Sequence, residues 1–567
     1  MNLFDAIFSP DHTLDRCAIL YEQQRITYAD LRAETVAAAR MLEALEIEPG
    51  DRVALMLNDS PQFVACFIAV CSYGAIAVPI NMALRLDEQR AILNDCTASV
   101  AIVEAEVSAA LLTDLPDKLP HLKQVVVVSR GEKLPSFLER PGKGLENNSH
   151  RASPHPLSKG ERAGTPALGA VKIWSYEDLR SQPQTSPLAG PEAFFVEPED
   201  NQPAFILYTS GSTGEPKGAV HRQSDIFYTN ETYCREVLQL KDGDRLFSSS
   251  RLPFAYGLGN AFTFPLLRGC TTILCREKPT PEVIARVFAD YQPTIFFGVP
   301  VVYRLLLDAA GKHNAARLDC SSLRCCISAG EALPAQLGEE WEKTFRVPVL
   351  DGIGSTEMLH MWMSNHEGEV VYGSSGKLLD GYEARLLDPE GNSTPAGTEG
   401  NLWVKGTSAA IGYWQRPEAT AATFVDGWVR TGDLYRQDAA GFWFHMGRSD
   451  DCFKSSGRWV SPVEVEGVLL RHEGVGRVAV VEDFDADGLP CACAFVVRAE
   501  AVNDGSELEA GLRELARALL PRFKQPRRYV FVAELPYTAT GKIQRFKLRE
   551  RLKDSPKSQV QSPKLGT

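Results

Sequence analysis

Residues Tyr208 to Gly218 read YTSGSTGEPKG and follow an apolar run. Thr209, Ser210, Ser212 and Thr213 supply hydroxyls, and Gly211, Gly214 and Gly218 let backbone N–H groups approach an anion. The composition points to a phosphate. The ordinary nucleotide loop, however, needs G-x-x-x-x-G-K-S/T. Here Pro216 stands where that pattern needs its second glycine, and Lys217 is followed by Gly218 rather than by a metal-binding hydroxyl. The P-loop NTPase reading therefore fails. The bland alternative, and the lesser one, is a structural glycine-rich turn.

Its surroundings alternate between helical and strand-like patterns. ITYADLRAETVAAARMLEAL carries apolar residues at helical spacing, and DRVALMLND, SVAIVEAE and KQVVVVSR read as buried strands. After Pro203 the alternation resumes with TTILCRE, TIFFGVP and LRCCISAGE. This is the pattern of an α/β fold with largely parallel sheets. From about residue 376 to 447 shorter β segments take over: YEARLLDPEGN, GNLWVKG, GWVRTGDLY and GFWFHMGR. Beyond Arg448, RVAVVEDFD and CACAFVVRA read as strands and SELEAGLRELARALL as an amphipathic helix. Residues 131–170 are rich in Pro, Gly, Ser and charge and are expected to be a disordered insertion, as are 553–567 at the tail.

With 567 residues the chain is too long for one domain. A formal net charge of -13 disfavours nucleic acid as a partner but leaves small anions open. The 13 cysteines form no C-x-x-C pair, so reduced and mostly buried thiols are expected. No signal peptide is expected at the N-terminus. The longest uncharged stretch, Phe63 to Leu84, is interrupted by Gly74, Pro79 and Asn81 and reads as a buried helix followed by a buried strand, not a membrane span.

Four further stretches bear on the loop. GIGSTE (Gly352 to Glu357) ends in a carboxylate beside two hydroxyls. WVRTGDLY (Trp428 to Tyr435) places Asp433 after an apparent Thr-Gly turn. GRSDDCFKSSGRWVSPVEVE (Gly447 to Glu466) joins Arg448, an acidic pair and a glycine loop, and PYTATGKIQR (Pro536 to Arg545) sets Lys542 on a glycine turn. Each is weak alone. In this order, over nearly the whole chain, they resemble the adenylate-forming superfamily of acyl-CoA synthetases, luciferases and peptide-synthetase adenylation domains.

The resemblance implies a large N-terminal domain (1–449) of two α/β sheets plus a small β-barrel, and a small mobile α+β C-terminal domain (450–552) turning about Asp450. It implies ATP, magnesium and coenzyme A as partners. Thr209, Ser210, Gly211, Ser212, Thr213, Gly214 and Lys217 would cover the β- and γ-phosphates. Thr356 would touch the α-phosphate, Ser355 would belong to the same nucleotide site, Glu357 would bind magnesium, and Asp433 would hold the ribose hydroxyls with Arg448 nearby. Gly330, Glu331, Asp351 and Ile353 would border the adenine, with Ile353 standing where many relatives carry an aromatic ring. Lys542 would bridge the substrate carboxylate and ATP during adenylation, then give way to the loop at Lys454 and Gly457, opening a channel for the thiol of coenzyme A.

FAYGLGN (Phe254 to Asn260) and GIGSTEMLHMWMSN (Gly352 to Asn365) look most like benzoate–CoA ligases. That likeness implies an aryl site of Ala255, Tyr256, Gly354, His360 and Met361, with Gly354 leaving room for a flat ring. Taken alone, His360 reads as a helix residue satisfied by a backbone group, and GLGNAF (Gly257 to Phe262) as a packing turn. The expected activity is ATP-dependent conversion of benzoate or a substituted benzoate to its CoA thioester, by a cytoplasmic monomer or homodimer. The alternatives are a medium-chain fatty acyl–CoA ligase, an enzyme loading a carrier protein, and a catalytically inactive relative. Intact Lys542, Glu357, Asp433 and Arg448 count against the last.

Overall fold

The computed structural model describes residues 1–9, 13–112, 118–129, 171–181, 194–210, 216–311, 318–456, 458–485, 487–499, 505–537 and 543–554. The expected insertion, the tail from residue 555, Gly211 to Gly214, Gly457 and Lys542 lie outside the described residues, whereas Lys553 and Asp554, expected to be disordered, end the helix Arg545–Asp554.

Two large sheets carry most of the chain. The first runs in the order Gly412–Tyr413, Pro216–His221, Phe205–Ser210, Ile76–Pro79, Arg52–Met56, Val100–Glu104, Gln124–Val128, Lys172–Ser175. The second runs Lys377–Leu378, Met361–Ser364, Val349–Gly354, Cys325–Ser328, Ile295–Gly298, Arg245–Ser248, Thr271–Leu274, Cys17–Tyr21, Gln24–Thr27. Their central strands are parallel and their edge pairs antiparallel, except that the edge strand Lys172–Ser175 pairs parallel with Gln124–Val128.

Helix Pro61–Ser72 lies between the sheets. Ser60 caps it by accepting from the Phe63 N–H, and Pro61 begins it, where a missing N–H costs nothing. Eleven of its twelve residues are buried, in a cluster that takes Ile19 and Leu274 from one sheet and Leu55 and Phe205 from the other. A helix apolar on every side is stable only when covered all round. That accounts for the uncharged stretch at Phe63, which is a helix and then the strand Ile76–Pro79, as expected. Among the described residues no helix is long and apolar enough to cross a membrane.

A five-stranded antiparallel unit follows, the counterpart of the expected barrel. Strand Trp428–Gln437 pairs with Gly400–Lys405 along most of its length, from Val429 to Tyr435, with Phe424–Val425 at its start and with Trp443–Arg448 through its second half. Asp433 therefore lies inside a ten-residue strand, not after a turn. The Thr-Gly signal survives only as a positive φ of 74° at Gly432, where a Cβ would sit 2.7 Å from the Arg448 guanidinium. After Arg448 come a hairpin, Phe453–Ser455 with Arg458–Val460, and a sheet of Val475–Phe484, Pro490–Arg498 and Arg528–Phe531. Helix Gly505–Leu519 packs there through Leu508, Leu512 and Ala516, one apolar stripe at four-residue spacing. All 13 cysteines are free, and only Cys17 and Cys275 are not buried.

Candidate functional site

In parallel sheets ligands gather where the strands end at their carboxyl termini. Three of the candidate stretches emerge there: Thr209–Ser210 from Phe205–Ser210, Ser328–Glu331 from Cys325–Ser328, and Gly354–Glu357 from Val349–Gly354. Cys325–Ser328 and Val349–Gly354 are paired neighbours, with Ser328 opposite Asp351. The first sheet reaches the same place through its edge hairpin, where Thr209 is opposite Lys217.

Thr356, Glu357 and Met358 form a single 3-10 turn, and the Ser355 hydroxyl accepts from the Met358 N–H at its start. Glu357 Oε1 accepts from the Tyr413 hydroxyl at 2.7 Å, and Lys217 sets its ammonium 5.6 Å from the centre of the same tyrosine ring. Tyr413 had no signal in the sequence. It arrives because the short strand Gly412–Tyr413 pairs with Pro216–His221, Tyr413 opposite Ala219. Asp433 and Arg448 face each other across their strands, and Asp433 Oδ1 takes bonds from Arg448 Nη1 at 3.2 Å and His445 Nε2 at 3.4 Å. Arg448 feels the carboxylates of Asp433, Asp450 and Glu357, so this pair and the 3-10 turn share one electrostatic neighbourhood.

Asp351 is 3% exposed. Burial pushes its carboxyl up to about 8, only partly offset by the Ser328 side chain and the backbone N–H groups of Leu333 and Gly352. Its Oδ1 has no hydrogen-bond partner among the described residues. Ile353 packs at the edge of the apolar cluster beside it. Gly330 holds φ at 91°, a left-handed value that glycine tolerates best. Glu331, half-buried, lies within electrostatic reach of Tyr537 and Arg545 from the C-terminal unit.

The five residues expected around an aryl group meet here. Gly354 pairs with Met361 across the hairpin, and the His360 ring lies 5.8 Å from that of Tyr256, whose neighbour Ala255 begins a short helix. The close hairpin is a further reason for glycine at Gly354, since a Cβ there would meet the His360 carbonyl at 2.6 Å. Two sequence expectations need correcting. His360 is no helix residue satisfied by the backbone. It lies just before the strand Met361–Ser364, 3% exposed, with neither ring nitrogen hydrogen-bonded among the described residues. Burial pushes it down to about 3, with a weak backbone contact at Tyr256 opposing, so the ring is neutral at physiological pH. GLGNAF is not a turn. Ala255–Leu258 is α-helical and Gly259–Thr263 π-helical, and the glycines serve close packing. A Cβ on Gly257 would sit 2.1 Å from the Arg251 carbonyl, and one on Gly259 would sit 2.6 Å from the His360 ring.

The sequence reading also missed Tyr233. Its hydroxyl is buried and unpartnered among the described residues, and its ring centre lies 4.7 Å from that of His360. Tyr256, by contrast, spends its hydroxyl on the Gly298 and Ile327 carbonyls. A buried polar group left unpaired costs about 1–3 kcal/mol, so His360, Tyr233 and Asp351 mark places where a ligand would restore bonding.

Asp450 is exposed where the last strand of the β unit gives way to the following hairpin. Lys454 lies on that hairpin with its ammonium 5.1 Å from the Trp459 ring centre. Past the segment bearing Lys542, Arg545 binds both carboxylate oxygens of Glu466 at 2.9 Å, and Arg549 binds Asp451 at 2.9 Å.

The residues also fit a magnesium ion that arrives with a nucleotide. No cluster of three or more metal-ligating side chains exists among the described residues. Magnesium held by substrate phosphates needs only one or two carboxylates and keeps several waters. Glu357, with one oxygen tied by Tyr413, offers the other.

The AMP-binding enzyme model matches residues 9–414, and the model of its C-terminal domain matches 464–542. The chain belongs to the AMP-binding enzyme family. It is 39% identical over 511 residues to a benzoate–CoA ligase of Thauera aromatica, covering 89% of this chain and 86% of that one. The crystal structure of an anthranilate CoA ligase in complex with anthranoyl-AMP superposes with a TM-score of 0.83 at 33% identity, covering 98% of this chain and 97% of the other. A benzoate CoA ligase from Burkholderia xenovorans gives 0.79 at 33% identity, covering 97% and 100%. Family membership accounts for the α/β architecture and for the small C-terminal unit.

Proposed function

We propose that the chain activates an aromatic carboxylic acid, benzoate or a simple substituted benzoate, with ATP and transfers the aryl group to coenzyme A. The observation that carries this reading is one hairpin. Val349–Gly354 and Met361–Ser364 hold the aromatic-site residues Gly354, His360 and Met361 on either side of the Ser355–Glu357 turn. A site for a flat ring and a site for phosphate thus adjoin. The similarity to benzoate–CoA ligases agrees with it.

The chemistry requires two steps. A carboxylate is inert to a thiol because its oxygen leaves poorly. A carboxylate oxygen attacks the α-phosphorus of ATP, the bond to pyrophosphate breaks, and an aryl-adenylate forms. The sulfur of coenzyme A then attacks the acyl carbon, its proton is lost, and AMP departs. Thr356 holds the α-phosphate, and Lys542 and the backbone of residues 209–218 neutralise charge that grows on the phosphate oxygens. Glu357 would hold magnesium, which would supply further neutralisation there. Asp433 accepts from the ribose hydroxyls, held in place by Arg448 and His445. Gly330, Glu331, Asp351 and Ile353 border the adenine. The C-terminal domain turns about Asp450, so Lys542 serves the first step and the hairpin at Lys454 and Gly457 the second. The enzyme acts in the cytoplasm, as a monomer or homodimer.

One observation favours a ring with a polar substituent. The Tyr233 hydroxyl beside His360, without a partner among the described residues, would gain a bond from a ring substituent of a hydroxy- or aminobenzoate that the unsubstituted ring of benzoate cannot supply.

The deciding experiment measures AMP release, with and without coenzyme A, across benzoate, the three hydroxybenzoates, 2-aminobenzoate and octanoate. An aromatic acid leads and release depends on coenzyme A for turnover. A clear preference for octanoate would overturn the reading.

A further inference from the structure

His221 is fully buried, and the reaction scheme leaves it without a task. Its ring stacks on Phe205, with centres 5.3 Å apart, and both of its nitrogens face oxygens. Nδ1 is 2.9 Å from Asp225 Oδ2, and Nε2 is 2.7 Å from the backbone carbonyl of Thr356. The second contact joins the two large sheets, because His221 ends the strand Pro216–His221 that begins at the phosphate loop.

The neighbours of this ring hold the same region. Asp225 is fully buried and accepts from Arg222 Nε at 2.8 Å and from the Arg222 N–H at 3.0 Å. Arg222 Nη2 donates to the carbonyls of Thr407 and Ala409, both at 2.8 Å. The next residue, Ala410, donates its N–H to the Glu357 carbonyl at 2.8 Å, and Tyr413 three residues on binds the Glu357 side chain. Successive carbonyls of the 3-10 turn are therefore gripped from two directions: that of Thr356 by His221 and that of Glu357 by Ala410. Both grips trace back to the Arg222–Asp225 pair.

We infer that His221, held by Asp225 and Arg222, is a positioning residue that sets the Thr356–Glu357 peptide for magnesium-bound ATP. The inference rests on the reading of Glu357 as the metal-binding carboxylate. A turn of three residues held only at its ends would let that carboxylate drift, and displacement of the order of 1 Å is costly in phosphoryl chemistry. Loss of the imidazole should thus weaken the magnesium-dependent part of nucleotide binding, beyond any loss of stability.

Amide side chains separate the two contacts. Glutamine reaches the place of Nε2 and keeps a donor toward Thr356. Asparagine reaches only the place of Nδ1 and keeps the contact to Asp225. Calorimetric titration with the α,β-methylene analogue of ATP, with magnesium and with EDTA, gives the factor by which magnesium tightens binding. His221→Gln should keep that factor within about threefold, and His221→Asn should lower it about tenfold, the size of one lost hydrogen bond. A packing defect alone would lower Tm and weaken both titrations alike, leaving the factor unchanged. An unchanged factor in His221→Asn overturns the proposal. Arg222→Met covers the case in which His221→Asn does not fold. It should lower the factor about threefold, and no change there also counts against the inference. Glu357→Gln tests the underlying reading separately. If it retains the full magnesium factor, that reading fails and the proposal falls with it. If it loses the factor while His221→Asn does not, only the proposal fails.

Discussion

Tyr413 donates its hydroxyl to Oε1 of Glu357 at 2.7 Å, joining a strand of the first large sheet to the 3-10 turn that follows a strand of the second. The bond fixes one carboxylate oxygen, Oε1. It also places the tyrosine ring under the ammonium of Lys217, so the phosphate hairpin and the candidate metal residue are joined through a single side chain.

Tyr413→Phe keeps the ring and removes that bond. A hydrogen bond to a charged group contributes about 1.5–3 kcal/mol, part of which reappears as freedom of the carboxylate. The KM for magnesium–ATP should rise about tenfold while that for the aromatic acid stays within about twofold. Initial-rate kinetics with each substrate varied in turn measure the split. Equal rises in both constants would contradict a role confined to the nucleotide side.

Lys542→Ala should separate the two half-reactions. Loss of a preorganised positive group at the phosphate costs about a hundredfold or more in adenylation. Conversion of supplied benzoyl-adenylate plus coenzyme A to thioester should remain within about threefold of the wild type. Pyrophosphate exchange reads the first half-reaction and thioester absorbance the second. Equal loss of both would contradict the two-position account of the C-terminal domain.

Gly259→Ala tests the packing against His360. The added Cβ would sit 2.6 Å from His360 Cδ2 and 2.9 Å from Nε2. Relief of such overpacking costs about 1–3 kcal/mol and requires the imidazole to move. The KM for the aromatic acid should rise at least about tenfold, with nucleotide binding and the unfolding transition much less affected. An unaltered KM would place the aryl group away from His360.

Asp351→Asn gives a pH-dependent result. Burial pushes the carboxyl up to about 8. In an unfolded chain it titrates near 3.9, so between about pH 4 and 8 the folded form retains a proton that the unfolded form has released. Its contribution to stability therefore declines as pH rises through that window and is least favourable above it. Asparagine keeps the shape and cannot titrate. The Tm of the wild type should fall relative to that of the variant as pH is raised from about 5 to 8. Parallel curves would show that the carboxyl is not held protonated.

Much of this was legible along the chain. The helix at Pro61–Ser72 was readable because it is apolar on every side, and the strands at Val100–Glu104 and Gln124–Val128 because they are short apolar runs. Asp433 was readable as a candidate but not its setting. A Thr-Gly pair carries a turn signal, yet the strand continues through it because Gly432 adopts a positive φ to make room for Arg448. GLGNAF misled in the same way. Its glycines are demanded by Arg251 and His360, which lie elsewhere in the sequence, and local propensity holds no record of such contacts.

The sequence by itself determined which chemistry-bearing stretches exist and in what order, since glycine, hydroxyl and carboxylate spacing follows from backbone reach within a few residues. Only the tertiary structure decided that His360 is buried and without a partner among the described residues, that Tyr233 shares its surroundings, and that Tyr413 and His221 grip the turn at Thr356–Glu357. Those contacts join residues of different elements that lie far apart along the chain. They form when both sheets pack on the central helix and exclude water, so no pattern within a single segment encodes them.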